Sequence, residues 1–154
     1  SHYGESYSLD MGIGIHVGEL ILGTIGEADR METTVISDTV NVSARLESLC
    51  KTYGVNIIVS GAVFHELPDE QKRHARLIDR TIVKGKTLPI DVYEVFSSGT
   101  EDEIVMKSKI APQFEKLVKF YYDNKFLEAQ KCCEEILEAA PTDTVVKQWS
   151  KRFL

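Results

Sequence analysis

Residues 33–47, TTVISDTVNVSARLE, decide how this chain is read. Thr33, Thr34, Val35 and Ile36 form a β-branched run of the kind that favours a strand. Ser37 and Asp38 are polar, and either can cap a helix that starts after them. From Thr39 to Thr52 the spacing is helical. Val42, Leu46, Leu49 and Cys50 fall at i, i+4, i+7 and i+8, a stripe one side of a helix would bury. Asn41, Arg45 and Ser48 fall on a separate polar face of the same helix. Strand, joint and helix would therefore set an amide and a guanidinium side by side.

Working outward, SLDMGIGIHVG at residues 8–18 alternates with period two, which predicts a strand with one apolar face. Gly12 and Gly14 lie on its bare face. Glycine weakens a strand, so these two point to a close approach by something else. Leu20–Ile25 reads as a second short strand, and residues 26–32 as a loop or hairpin arm. Further on, Asn56–Val59 is strand-like and Ala62–Leu67 suits a short helix. Ala75–Val83 and Ile90–Phe96 read as two strands joined by KGKTLP. Strands and a helix in mixed order imply an α+β or α/β domain with a partly antiparallel sheet. SSGTEDE, residues 97–103, has the composition of a linker, placed over 97–108. The remainder, 109–154, is helical. Phe114, Leu117, Val118 and Tyr121 make one stripe; Phe126, Ala129, Cys133, Ile136 and Leu137 make a second. Asp123-Asn124 breaks between them, Pro141 closes the second, and Val146, Trp149 and Phe153 begin a third helix.

A chain of 154 residues suffices for one domain and a small appendage. It can bury about 70% of its unfolded surface. Its 43% hydrophobic and 27% charged residues are ordinary for a globular protein. The net charge of −6 disfavours a nucleic-acid duplex or an anionic membrane as partner. No apolar run is long enough to span a bilayer, and no signal peptide is visible. Cys50, Cys132 and Cys133 match no zinc or CxxC spacing, which suits reduced thiols in a cytoplasmic protein.

Gly12, Gly14, Gly18, Gly23 and Gly26 form neither GxGxxG nor a P-loop. His16 reads as a structural histidine, and His2, His65 and His74 have no partners at ligand spacing. Glu134-Glu135 and Glu101–Glu103 read as solvated surface. What remains is Asn41 and Arg45 with the basic turn VKGK, in which Lys84 and Lys86 flank Gly85. An amide and three cations suit an oligophosphate, because arginine binds oxyanions in bidentate fashion and lysine acts as a point charge. On the residue types of Asn41 and Arg45 alone, a surface amide and a surface charge is the favoured reading.

Four blocks then follow one another in order: GIGIHVGELILGTIG, TTVISDTVNVSARLE, KTYGVNIIVS and RLIDRTIVKGKTLPIDVYEV. Together, over residues 8–96, they resemble the C-terminal half of a class III adenylate/guanylate cyclase catalytic domain. The resemblance implies an α+β, ferredoxin-like sheet, incomplete here, followed by a C-terminal helical extension. It implies attack of the ribose 3′-hydroxyl of ATP on the α-phosphate with loss of pyrophosphate. By matched position, Asn41 would orient the ribose and Arg45 would stabilise charge on the α-phosphate. Lys84 would hold the terminal phosphates, with Lys86 the second candidate. Thr34 falls at the purine-reading position, where threonine resembles a bacterial adenylate cyclase subclass, so ATP is expected rather than GTP. The family uses two Mg2+ or Mn2+ ions on two aspartates of its N-terminal half, and nothing before Ser8 supplies them. In the family the site forms between two subunits. The expected partners are therefore ATP and a second cyclase subunit, with no turnover by this chain alone.

The tail weakly resembles one TPR unit through FLEAQKCCEEILEAAPTD, although its first helix lacks the usual Trp and Gly. It could carry a protein partner, or pack on the sheet. Two other functions compete with cyclase activity: a degenerate cyclase-like regulatory or dimerisation module, and an interaction protein whose tail does the work.

Overall fold

The computed structural model describes residues 13–15, 27–83 and 88–154. Four strands form one mixed sheet in the order β1-β2-β4-β3: β1 Ile13–Ile15, β2 Ile57–Ser60, β3 Ala75–Thr81 and β4 Ile90–Val95. β1 and β2 are parallel, and the other two pairings are antiparallel. A parallel pair needs a crossover. Helix α1, Glu27–Tyr53, provides it and packs on both strands. Two short helices follow β2: α2, Gly61–Glu66, and α3, Asp69–Lys72. The β3–β4 pair comes next, and then three helices: α4 Glu101–Tyr122, α5 Phe126–Ala139 and α6 Thr144–Ser150, with a 3-10 turn at Lys151–Phe153. The arrangement is α+β with a helical extension, as expected.

The helix expected from Thr39 is present, with Val42, Leu46, Leu49, Cys50 and Tyr53 all buried. It ends because Gly54 takes φ +67° while Val55 N–H donates to Cys50 O at 3.0 Å, satisfying a terminal carbonyl. The strand expected at Thr33–Ile36 is not there. Those residues are helical, and Ser37 and Asp38 lie inside α1 rather than capping it. A strand must hand its backbone groups to a neighbour, whereas a helix satisfies them within the segment. Preference for β structure is weak and context-dependent. In the sequence a seven-residue apolar step, Ala28, Val35, Val42 and Leu49, is compatible with helix through the β-branched run. The expected strand at Leu20–Ile25 lies outside the described residues.

Register separates the two faces of the sheet. Gly14, Ile58, Glu94 and Arg76 are successive partners across the four strands, and so share one face. α1 crosses this face at Gly14, where a Cβ would meet Ser43 O at 2.6 Å and Glu47 N at 2.4 Å. The close approach inferred at Gly14 is thus made by α1, while Gly12 lies outside the described residues. On the other face Tyr93 stacks on Phe64 of α2 at 3.9 Å. A register shift between Leu77 and Asp79 acts as a bulge. Arg76 and Asp79 differ by an odd number of residues and would otherwise point to opposite faces. With the shift, Asp79 also pairs with the helical side.

The tail lies on that same face. α4 packs along β3, and α6 reaches α1. The expected stripes are buried at Phe114, Leu117, Val118, Ala129, Cys133, Ile136, Val146 and Trp149, while Phe126 is half exposed. One hydrophobic cluster runs from Val42 to Trp149 without a break. α4 begins at Glu101, so residues 101–108, two thirds of the expected 97–108 linker, are helix. Thr100 and Glu103 form a reciprocal capping box there, a Thr-x-x-Glu signal that was legible in the sequence.

Candidate active site

α1 carries the two residues expected to do chemistry. Asn41 and Arg45 are both exposed, one turn apart and about 6 Å along the axis. They lie beside the buried stripe that fixes the rotation of the helix, with Arg45 at its flank, next to the sheet. Arg45 Nε donates to Thr81 Oγ1 on β3 at 3.1 Å. Its two terminal nitrogens have no partner among the described residues. Thr81 is buried at 7% exposure, so the acceptor is a held group under an exposed guanidinium. Thr34 lies on the same helix, seven residues before Asn41 and about 10 Å along the axis, rather than on a neighbouring strand. Lys84 and Lys86 lie outside the described residues.

Two ion clusters that sequence reasoning missed fix this framework. Arg76 on β3 has no exposed side-chain surface. It bonds Glu94 of β4 at 2.7 Å and Asp143, ahead of α6, at 2.8 and 3.1 Å. Lys107 of α4 adds a bond to Glu94 at 2.6 Å, and Asp143 also accepts from Val146 N–H. Burial lowers the Arg76 pKa, but Glu94 and Asp143 outweigh it and the net shift is upward. The second cluster centres on Asp79. It accepts from Tyr53 at the end of α1, from Tyr122 of α4 at 2.6 Å and from Arg152 at 2.8 Å. Arg152 also lies over the Trp149 ring at 3.8 Å. Burial, and then Asp79, raise Tyr53 well above the ordinary tyrosine range. The clusters are reciprocal: the sheet offers a cation to the tail at Arg76 and an anion at Asp79.

A divalent ion of the kind the resemblance implies needs open carboxylates. The buried ones here, Asp79, Glu94 and Asp143, are each engaged by arginine or lysine. Among the described residues no three histidine, cysteine or carboxylate groups assemble. These residues do not fit the ion. Among the described residues, too, no helix is long and apolar enough to cross a membrane.

The family model for the adenylate and guanylate cyclase catalytic domain matches residues 2–98. The chain is 33% identical over 137 residues to a terminal-differentiation-specific adenylate cyclase of Dictyostelium discoideum, covering 88% of this chain and 6% of that protein. It is 44% identical over 88 residues to an adenylate cyclase of Anabaena cylindrica, covering 56% of this chain and 18% of the relative. It is 39% identical over 82 residues to adenylate cyclase 1 of Rhizobium meliloti, covering 53% of this chain and 12% of the relative. The chain thus spans less than a fifth of each of these relatives, and the Dictyostelium likeness runs on into the helical tail. No solved structure matches significantly. With these matches over the sheet and α1, the chain belongs to the adenylate and guanylate cyclase catalytic-domain family.

Proposed function

We propose that this chain supplies the nucleotide-holding wall of an adenylate cyclase site, completed by a second cyclase subunit. The supporting observation is the joint exposure of Asn41 and Arg45 on α1, with Arg45 held from below by Thr81. In the reaction the ribose 3′-oxygen of ATP bonds to the α-phosphorus and the bond to pyrophosphate breaks. Asn41 orients the ribose. Arg45 offers two N–H groups to the oxygens on which charge develops. By the positions the resemblance matches, Thr34 is assigned to the purine and Lys84 to the terminal phosphates. The carboxylates and their Mg2+ or Mn2+ come from the complementary subunit, so the chain by itself turns nothing over. Adenylate cyclase names among the matched relatives and a threonine at position 34 favour ATP over GTP.

A complementation assay tests this. The chain is mixed with a cyclase domain that keeps its metal aspartates but lacks its own Asn and Arg. ATP and Mn2+ are added and cyclic AMP is measured. Product that disappears with Arg45→Ala supports the reading. Absence of product, with association of the two chains confirmed in the same mixture, supports a regulatory or dimerisation module instead. Cyclic AMP from the pure chain refutes the half-site.

A further inference from the structure

We propose that Thr81 is a positioning residue for Arg45, a role that rests on the cyclase reading above. An exposed arginine on a helix samples many rotamers, and a group that must meet a developing charge gains from being held beforehand. Among the described residues Arg45 is tied through Nε alone, at 3.1 Å to Thr81 Oγ1. A guanidinium anchored at Nε keeps its two terminal nitrogens as a pair, the edge that matches two phosphate oxygens.

The anchor is itself fixed. Thr81 is buried at the end of β3, in register with Ile90 of β4. Two residues earlier Asp79 is gripped by Tyr53, which ends the helix that carries Arg45. α1 and β3 are therefore tied at two points, Arg45–Thr81 and Tyr53–Asp79. Asp79 and Thr81, two residues apart, share a face by strand alternation, and the bulge at Leu77/Asp79 sets that face on the side of Arg76. Tyr122 and Arg152 of the tail close on the same carboxylate, so the helical extension braces the strand that holds the arginine. Lys84, assigned above to the terminal phosphates, follows Thr81 by three positions in the sequence.

Thr81→Val removes the acceptor and keeps the branched shape, while Thr81→Ser keeps the acceptor. Two readouts separate the tether from the reaction. In the chain alone, the Arg45 Nε–H resonance, identified by its loss in Arg45→Lys, should be protected from exchange in the wild type and in Thr81→Ser. It should lose that protection in Thr81→Val. An Nε–H indifferent to Thr81→Val overturns the proposal whatever the activity. In the complementation mixture, Thr81→Val should lower kcat about ten- to a hundredfold with KM nearly unchanged, and Thr81→Ser should restore it. Wild-type product with undiminished kcat in Thr81→Val overturns the positioning role and leaves the cyclase reading intact. No product from the wild type overturns the cyclase reading and this role with it, even where the tether is seen by resonance.

Discussion

Asp143→Ala is the sharpest test of how the tail is held. Asp143 has two functions in one side chain. It accepts two bonds from the buried Arg76 guanidinium, and it caps α6 through Val146 N–H at 3.1 Å. Removing one partner of a buried ion pair costs about 3–5 kcal/mol, because the other charge stays buried. Lys107 shares Glu94, but Arg76 still keeps that carboxylate at 2.7 Å and is not left unpaired. The lower end of the range, about 3 kcal/mol, is therefore appropriate. Loss of the cap adds about 1 kcal/mol. The expected total is about 4 kcal/mol, a large part of a typical domain's stability. For a chain of this size that lowers Tm by about 8–16 °C. Asp143→Asn keeps an acceptor for Val146 and should lose about 1 kcal/mol less. Trp149 is the single tryptophan, fully buried, with Nε1 bonded to Ile78 O of β3 at 2.8 Å, so its emission reports directly on tail docking. Urea unfolding followed by that emission gives the difference in midpoint. A loss under about 1 kcal/mol at unchanged slope would show that the buried cluster does not hold the tail, and would refute the reasoning.

Two further outcomes follow from the same geometry. Gly14→Ala forces a Cβ into the backbone of α1 at Ser43 and Glu47, where nothing can rotate away, and should destabilise the chain by about 1–3 kcal/mol or more; a melting temperature equal to the wild type would contradict the close crossing. Alkaline pH should also destabilise. Burial, then Asp91, pushes Tyr93 up to about 12, and burial, then the Asp79 hydrogen bond, pushes Tyr122 up to about 12. An unfolded tyrosine ionises near about 10. Below that pH both states hold the proton and stability is flat. Between about 10 and 12 the unfolded state alone releases it, so stability falls as pH rises. Urea midpoints across that window check the sign, with the phenolate absorbance of Tyr93 and Tyr122, read as the difference from Tyr93→Phe and Tyr122→Phe, appearing only on unfolding; midpoints that hold steady through it would show these rings free to ionise in the fold.

Much of this molecule is legible residue by residue. The apolar steps of α1 after Thr39, the β2, β3 and β4 runs, the stripes of α4 and α5 and the break at Asp123-Asn124 all follow from periodicity and turn chemistry. These are local signals, because side-chain spacing and backbone dihedrals are set within a few residues. Asn41 and Arg45 were also legible, since four residues on a helix always share a face. The β-branched run at 33–36 misled because its own preference is weak and the seven-residue apolar step in the sequence is compatible with helix through it. What the sequence could not say was where charges would end. Arg76 and Asp79 look like ordinary polar positions on a strand, and Asp143 and Arg152 like tail surface. They are partners 67 and 73 residues apart, brought together by a bulge that sets two strand residues on one face. Burial of a charge depends on its partner being present in space, and that is a property of the assembled chain. The sequence by itself determined the elements and the candidate nucleotide-facing helix. Only the tertiary structure decided that the tail grips the sheet, and that a buried threonine stands under the arginine.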